Sequence, residues 1–252
     1  MRTFLTCLPS LEKYLITPLQ PDIFIHTWAQ VGQSVRDKSG PDKDLITLDE
    51  LSSYYDPIKA VVEEYSTDFT EKLFNVEVPE LLKEAEPLSY KGAIPMYYKI
   101  AMCNSLKQEH EAEMESKYDY VIRLRPDLQI NEPIPRRIFD EPNVLWYGDQ
   151  HFNDEKKVSD KFAIGTSEAI DTYSDVWRRL PEYWQLPLGE PRSDGKKYNH
   201  RVGERLMKYH LSNYPDQFEL RQLPVECQLV RNQEPNGSKS SWIKKFAKFF
   251  VS

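Results

Sequence analysis

Three charged residues near the middle of the chain are spaced so that they could bind a ligand together. Arg123, Arg125 and Asp127 lie at positions i, i+2 and i+4, so in an extended chain their side chains point to the same face. Arginine contacts the oxygens of a phosphate group bidentately, and an aspartate can hold a cation. We therefore predict a ligand site here. The alternative is an Arg–Asp ion pair that ties a strand to the loop after it.

The segment that carries this triplet, YDYVIRLRPDL at 118–128, has the pattern of a buried strand. Its aromatic, β-branched and aliphatic positions are Tyr120, Val121, Ile122 and Leu124. Pro126 has no N–H to donate to a sheet, so we expect the strand to stop there. Because ligands of open α/β sheets bind beyond the carboxyl ends of the strands, we place the triplet at the end of a central strand.

Length and composition narrow the class of protein. A chain of 252 residues fits one α/β domain, and its net charge of −7 argues against nucleic-acid binding. Three widely spaced cysteines, in no zinc-ligand spacing, indicate a reducing compartment. Neither a signal peptide nor an apolar run of membrane-spanning length is recognisable, so we expect a cytoplasmic protein. The motifs of P-loop kinases, Rossmann dehydrogenases, α/β-hydrolases and zincin proteases are missing.

Helical and strand patterns alternate along the chain, which predicts an α/β fold. Helical spacing covers 3–19, a strand 21–28, a weakly helical stretch 51–74, and an amphipathic helix starts at Pro95 and leads to the strand at Tyr118. Further strands are predicted at 143–148, 161–164 and within 218–231, and helices after Thr166 or Ser167 and at 199–212. A helix followed by a strand is the crossover pattern of a parallel sheet.

The end of the chain differs from the rest. We divide it into a domain at 1–231 and, at 232–252, a linker followed by the segment WIKKFAKFF. This segment places aromatic and aliphatic residues on one helical face and lysines on the other, which is typical of peripheral helices on anionic membranes. Residues 242–251 are therefore predicted to contact the inner face of the membrane. The alternative is a helix packed on its own domain.

Several pieces of the chain, in this order and spacing, resemble GT-A-like glycosyltransferases of bacterial and viral capsule and lipopolysaccharide synthesis. The pieces are RTF at 2–4, DIFIHTW at 22–28, YYKIAMCNSL at 97–106, YDYVIRLRPDL at 118–128, SDKFAIGTSEAIDTY at 159–173 and HRVGERLMKYHL at 200–211. The resemblance covers the chain up to about residue 231. It implies one α/β domain of the nucleotide-diphospho-sugar transferase kind, with a mixed, mostly parallel central sheet flanked by helices.

The resemblance also implies an activity and roles for particular residues. The protein would transfer a sugar from a nucleoside-diphosphate-sugar donor to a growing surface polysaccharide or another glycan, free or lipid-linked. Asp160 would contact the acceptor or act as general base, with Glu204 as the second choice. The implied substrate-binding residues are Arg2, Asp22 and Trp28 on the nucleotide side, Lys99 and Asn104 behind the central strand, and Arg123, Arg125 and Asp127 at the diphosphate.

The chain departs from the family pattern in two places. Where many GT-A enzymes hold a divalent metal with Asp-x-Asp, this chain has Arg125, Pro126 and Asp127, so Mn²⁺ or Mg²⁺ binding at Asp127 is left open. The chain also begins at the turn that follows the first strand in relatives, so we expect that strand to be missing. A misplaced start, a truncated gene or a lost part of the donor site would each explain it.

Two other functions are considered. If part of the donor site has been lost, the protein would be a non-catalytic glycan- or nucleotide-binding protein with a degraded GT-A fold. A weaker alternative is a metal-dependent phosphoesterase that uses Asp127, Asp154, Asp160 and a histidine. The histidines are scattered along the sequence, which argues against such a cluster.

Overall fold

The computed structural model describes residues 4–29, 45–64, 87–148, 157–184 and 203–230. The helices are α1 (Phe4–Leu11), α2 (Thr17–Leu19), α3 (Leu48–Tyr55), α4 (Pro87–Met114), α5 (Ser167–Ser174), α6 (Val176–Trp184) and α7 (Gly203–Leu211), with a π-helical segment at Glu12–Ile16 and a 3₁₀ helix at Arg136–Asp140. The strands are β1 (Phe24–Trp28), β2 (Lys59–Glu63), β3 (Val121–Leu124), β4 (Leu128–Ile130), β5 (Val144–Tyr147), β6 (Phe162–Gly165), β7 (Glu219–Gln222) and β8 (Cys227–Leu229). The segment 232–252 lies outside the described residues.

Strands β1 and β2 form a parallel pair in which Phe24 lies opposite Lys59 and Trp28 opposite Glu63. The prediction of a weakly helical stretch over 51–74 is therefore wrong for the part that forms β2. Helix α3 ends at Asp56, which has a left-handed backbone with φ of 44°, and the chain then extends. The consecutive valines of β2 suit a pleated strand, and pairing with β1 supplies the hydrogen bonds that a helix would otherwise have made.

The sheet that contains β3 has the order β3-β6-β5-β7. Strand β6 is antiparallel to both β3 and β5, and only the β5–β7 pair is parallel. The prediction of a mostly parallel central sheet is wrong for this sheet, and among the described strands β3 lies at its edge, not at its centre. Short apolar runs predict that a strand forms, but they carry no information on the direction of its neighbours.

Side chains from both faces of this sheet are buried, as alternation along its strands requires. Leu145 and Ala163 face one core together with helices α4 to α7. Trp146 and Ile164 face a second core, which α1 and the antiparallel pair β4–β8 complete. The described part of the chain is thus an α/β fold with helices on both sides of a mixed sheet. None of its helices is long and apolar enough to cross a membrane.

Helix α4 is the longest helix of the described chain, with 28 residues, and it packs against β1, α5, α6 and α7. The amphipathic helix predicted from Pro95 is confirmed, and it starts earlier than expected. The predicted cap of α5 is also confirmed, since the Thr166 hydroxyl accepts a hydrogen bond of 3.4 Å from the Ala169 N–H.

Candidate functional site

The chain reverses directly after β3, in a turn closed by the Leu128 N–H and the Arg125 carbonyl at 3.0 Å. Within this turn the Asp127 carboxylate accepts hydrogen bonds from Arg125 Nε at 3.0 Å and from Nη2 at 2.7 Å. Burial opposes the charge of Arg125, but the bonds to Asp127 outweigh it and hold the pKa of the guanidinium above its ordinary value. The ion pair considered as the alternative to a ligand site is therefore present.

Arg123 contacts a different part of the chain from Arg125. Its Nη1 donates a hydrogen bond to the backbone carbonyl of Asp160, on the segment that leads into β6. The Arg125 N–H donates to the Lys161 carbonyl at 2.9 Å, so two contacts join the end of β3 to the start of β6. Asp160 is thereby held beside the turn that contains Asp127.

Asp160 and Glu204 come together from separate elements. Asp160 is 8% exposed, and a Cβ atom on Gly203 would lie 4.0 Å from its Oδ2 atom. Gly203 has φ of +33°, a left-handed conformation that favours glycine, and it places Glu204 in the first turn of α7. The Tyr97 hydroxyl donates to the Gly203 carbonyl at 2.6 Å and so fixes this turn against α4.

The electrostatic setting of Glu204 suits proton transfer. Burial first, and the nearby Asp160 charge second, raise the pKa of Glu204 above its ordinary value. Asp160 and Glu204 in turn raise the pKa of Arg125, so all three groups share one electrostatic neighbourhood. We call Arg125, Asp127, Asp160 and Glu204 the carboxylate site. It offers an oriented guanidinium next to a carboxylate that can accept a proton.

A second cluster lies at the carboxyl end of the β1–β2 pair. Lys99 Nζ is 2.5 Å from Glu63 Oε2, 3.1 Å from His26 Nδ1 and 3.4 Å from the centroid of the Trp28 ring. The Tyr98 hydroxyl donates to Glu63 at 3.0 Å, and the Tyr98 ring stacks on Trp28. We call these five residues the edge cluster. They combine a cation, a carboxylate and aromatic rings at a position where α/β sheets bind ligands.

Burial controls the charges of the edge cluster. It lowers the pKa of Lys99 to about 8, although the bond to Glu63 acts in the opposite direction. It also lowers the pKa of His26 to about 4, with the Lys99 charge adding to the effect. Because His26 stays neutral at pH 7, Glu63 is the counter-ion of Lys99. The sequence pattern did not predict Glu63 as a site residue, because it did not predict β2; the rule that ligands bind beyond the carboxyl ends of strands would have identified it.

The two clusters are neighbours. Burial raises the pKa of the Cys103 thiol to about 11, while Arg123 from one side and Lys99 from the other both act to lower it. Cys103 also donates a hydrogen bond to the Phe24 carbonyl at 3.3 Å, which ties α4 to β1. Arg123, which bonds to the Asp160 carbonyl, and Lys99 of the edge cluster therefore both lie near Cys103, so the two clusters are close to each other.

Two predicted substrate-binding residues lie elsewhere, and Arg2 is outside the described residues. Asp22, before β1, accepts a hydrogen bond of 2.6 Å from the Tyr118 hydroxyl. Asn104 is 6% exposed and donates to Asp171 Oδ1 at 2.7 Å. It belongs to what we call the buried polar network: Asn104, Lys107, Glu111, Ser167 and Asp171, between α4 and α5.

The donor set around Asp127 does not fit a divalent metal. Mg²⁺ and Mn²⁺ need carboxylate oxygens directed at the ion, whereas both oxygens of Asp127 accept hydrogen bonds from Arg125. Within the described ranges no three His, Cys, Asp or Glu side chains are grouped as metal ligands. Asp154, which the phosphoesterase alternative needs, lies outside those ranges.

The sequence matches no known protein-family model, and no curated protein is significantly similar to it. The likeness to GT-A enzymes therefore stays a prediction from the motifs, and the function must be inferred from the geometry of the site.

Proposed function

We propose that the protein is a glycosyltransferase that moves a sugar from a nucleoside-diphosphate-sugar donor to a glycan acceptor. The observation that best supports this is the meeting of Arg125 with Asp160 and Glu204 at the end of β3. An oriented cation beside a carboxylate of raised pKa supplies the two kinds of group that glycosyl transfer needs.

The leaving diphosphate gains negative charge as the bond between the sugar C1 atom and the phosphate oxygen breaks. Arg125 is the group placed to stabilise this charge, because Asp127 fixes the plane of its guanidinium. Arg123 supports the site by holding Asp160 through its backbone carbonyl.

The acceptor hydroxyl must lose a proton as its oxygen bonds to C1. We assign this proton to the pair Asp160 and Glu204, and to Glu204 first, since a carboxylate with a raised pKa is the better base near neutral pH. This reverses the order predicted from the sequence. Asp160 is more deeply buried and contributes the charge that helps to raise the pKa of Glu204.

The edge cluster is the proposed nucleotide side of the site. Trp28 is of the residue type that stacks on a base, and Lys99 of the type that contacts a phosphate. Trp28 ends β1, and the Lys99 side chain reaches it from α4, so both groups lie at the carboxyl end of a parallel strand pair, where nucleotides bind in α/β proteins.

The proposal is tested first by binding and then by turnover. UDP, GDP, dTDP, CMP and their sugars are screened for an increase in melting temperature, which a ligand that binds only the folded state must cause. The best sugar nucleotide is then incubated with the protein, and release of the free nucleotide is measured with and without glycan acceptors. We expect one nucleotide to bind, and its sugar nucleotide to release the free nucleotide as the sugar is transferred to an acceptor. Binding without release would favour the non-catalytic alternative, and no binding would contradict the proposal.

A substitution at the proposed base separates catalysis from binding. Glu204→Gln is expected to lower the rate of acceptor-dependent nucleotide release about 10²- to 10⁴-fold while nucleotide affinity stays within about twofold. The matched control is Glu182→Gln, which changes an exposed residue of α6 that pairs with Arg179. It should leave both quantities unchanged. Equal rates for Glu204→Gln and the control would rule out Glu204 as the base.

A further inference from the structure

We infer that the donor diphosphate is bound without a divalent metal, by an arginine that Asp127 holds in place. Arg125 is the cation of this site, and Asp127 is a positioning residue that does not ligate a metal. The inference rests on the proposed function, since it concerns how that site binds its donor.

The contacts of Asp127 are the first support. Its two oxygens accept from Nε and Nη2 of the same guanidinium, the side-on arrangement in which an arginine is held most rigidly. The Asp127 side chain is 19% exposed and that of Arg125 is 35% exposed, so the pair is partly shielded from water. A metal that bound the same two lone pairs of Asp127 would have to displace the guanidinium.

The charges around the pair are the second support. Asp160 and Glu204 add to the effect of Asp127 in raising the pKa of Arg125, so the guanidinium remains charged throughout the physiological range. The bonds to Asp127 leave the other N–H groups of the five-donor fork for a ligand. Two parallel N–H groups match the oxygens of a phosphate, which a flexible lysine ammonium cannot reproduce.

The experiment compares the binding of UDP, GDP, dTDP and ADP to the full chain by isothermal titration calorimetry in EDTA and in Mn²⁺. We expect affinities in the two buffers to agree within about threefold. Binding that requires Mn²⁺ would overturn this inference and leave the proposed function standing. Binding in neither buffer would overturn both, because the site would then not be a nucleotide site.

Variants separate a positioning role for Asp127 from a merely structural one. Asp127→Asn is expected to weaken diphosphate binding in EDTA about 10-fold, and Arg125→Lys about 10- to 100-fold. Binding of the matching nucleoside, which has no phosphates, should be unchanged in both variants. Arg137→Lys, at an exposed position of the 3₁₀ helix, is the control and should have no effect. Equal losses for nucleoside and diphosphate, or no loss in either variant, would overturn the inference.

Discussion

The carboxylate site and the buried polar network are both clusters of opposite charges, but their charges are satisfied to different extents. In the network, Lys107 Nζ lies 3.0 Å from Glu111 and 2.9 Å from Asp171 and also donates to the Ser167 hydroxyl. In the carboxylate site, only Arg125 and Asp127 are paired. Within the described ranges neither Asp160 nor Glu204 forms a salt bridge.

The pKa shifts of two glutamates reflect this difference. Burial favours the neutral acid in both, but the hydrogen bonds from Ser167, the Tyr118 N–H and Lys107 outweigh it and lower the pKa of Glu111. At Glu204 the charges of Lys161 and Lys157 and the residue's own N–H also lower the pKa, but burial and Asp160 outweigh them and raise it. In the network, the charged groups that hold α4 to α5 are paired with each other. In the proposed catalytic site, the raised pKa of Glu204 means that this carboxylate can still accept a proton.

The largest effect is expected when the network loses its only cation among the described residues. Lys107→Met leaves the buried Glu111 carboxylate and the half-buried Asp171 carboxylate without their paired cation, and we expect the free energy of unfolding to fall by about 3–5 kcal/mol. Urea denaturation measures it. The control Lys117→Met removes an exposed ion pair with Glu168 and should change stability by about 0–1 kcal/mol. Similar losses in the two variants would mean that the buried ion pairs of Lys107 stabilise the protein no more than an exposed pair does.

A smaller effect is expected from Ser167→Ala. The Ser167 hydroxyl donates to Glu111 at 2.6 Å and accepts from Lys107, so its removal leaves two buried charged groups with one partner fewer. We expect a loss of about 1–3 kcal/mol in urea denaturation. The exposed Ser53→Ala in α3 serves as the comparison and should lose much less. A neutral result for Ser167→Ala would show that Lys107 and Glu111 satisfy each other.

The smallest expected effect is the pH dependence of stability, which has opposite signs in the two regions. Because the folded-state pKa of Glu204 is raised, its stabilising contribution is complete at pH values below its unfolded pKa and is lost as pH rises through the folded pKa. The Glu204→Gln variant should therefore be more stable than the natural protein at pH 7. The gain should be less than about 1 kcal/mol, because Glu204 is partly exposed, and it should vanish near pH 4.

Glu111 provides the reverse case. Its folded-state pKa is lowered, so its contribution is present above the unfolded pKa and is lost as pH falls through the folded pKa. Glu111→Gln should destabilise the protein at pH 7 and less so in acid. Melting temperatures of both variants between pH 4 and pH 8 test the pair. The same sign for both variants would remove the distinction between the two regions.

Local features of the fold could be predicted from the sequence because local residues determine them. The apolar run before Arg123 forms β3, and Thr166 caps α5 as its hydroxyl allows. The direction and order of the strands could not be predicted, because they depend on contacts between residues far apart in the chain. Strand β2 was missed for that reason, and with it Glu63.

The site residues likewise divide into those whose contacts are local in sequence and those whose contacts depend on the packing of distant elements. Arg125 and Asp127 could be paired from their spacing alone, since a turn of the chain at Pro126 brings them together. That Asp160 and Glu204 meet could not be read from the sequence, because a long-range contact places them: the Val158 N–H, before β6, donates to the Glu204 carbonyl at 3.0 Å. The family resemblance implies that Asn104 contacts substrate, but its position on α4 directs it to Asp171.

Three residues of helix α4 contact different parts of the molecule. Tyr97 contacts the first turn of α7, Lys99 contacts the other residues of the edge cluster, and Lys107 contacts α5. Since an α-helix turns by about 100° per residue, inserting or deleting one residue between Tyr97 and Lys107 would rotate these partners out of register with each other. Homologues of this protein are therefore expected to vary in length between their secondary-structure elements while keeping the spacing of 97, 99 and 107 unchanged.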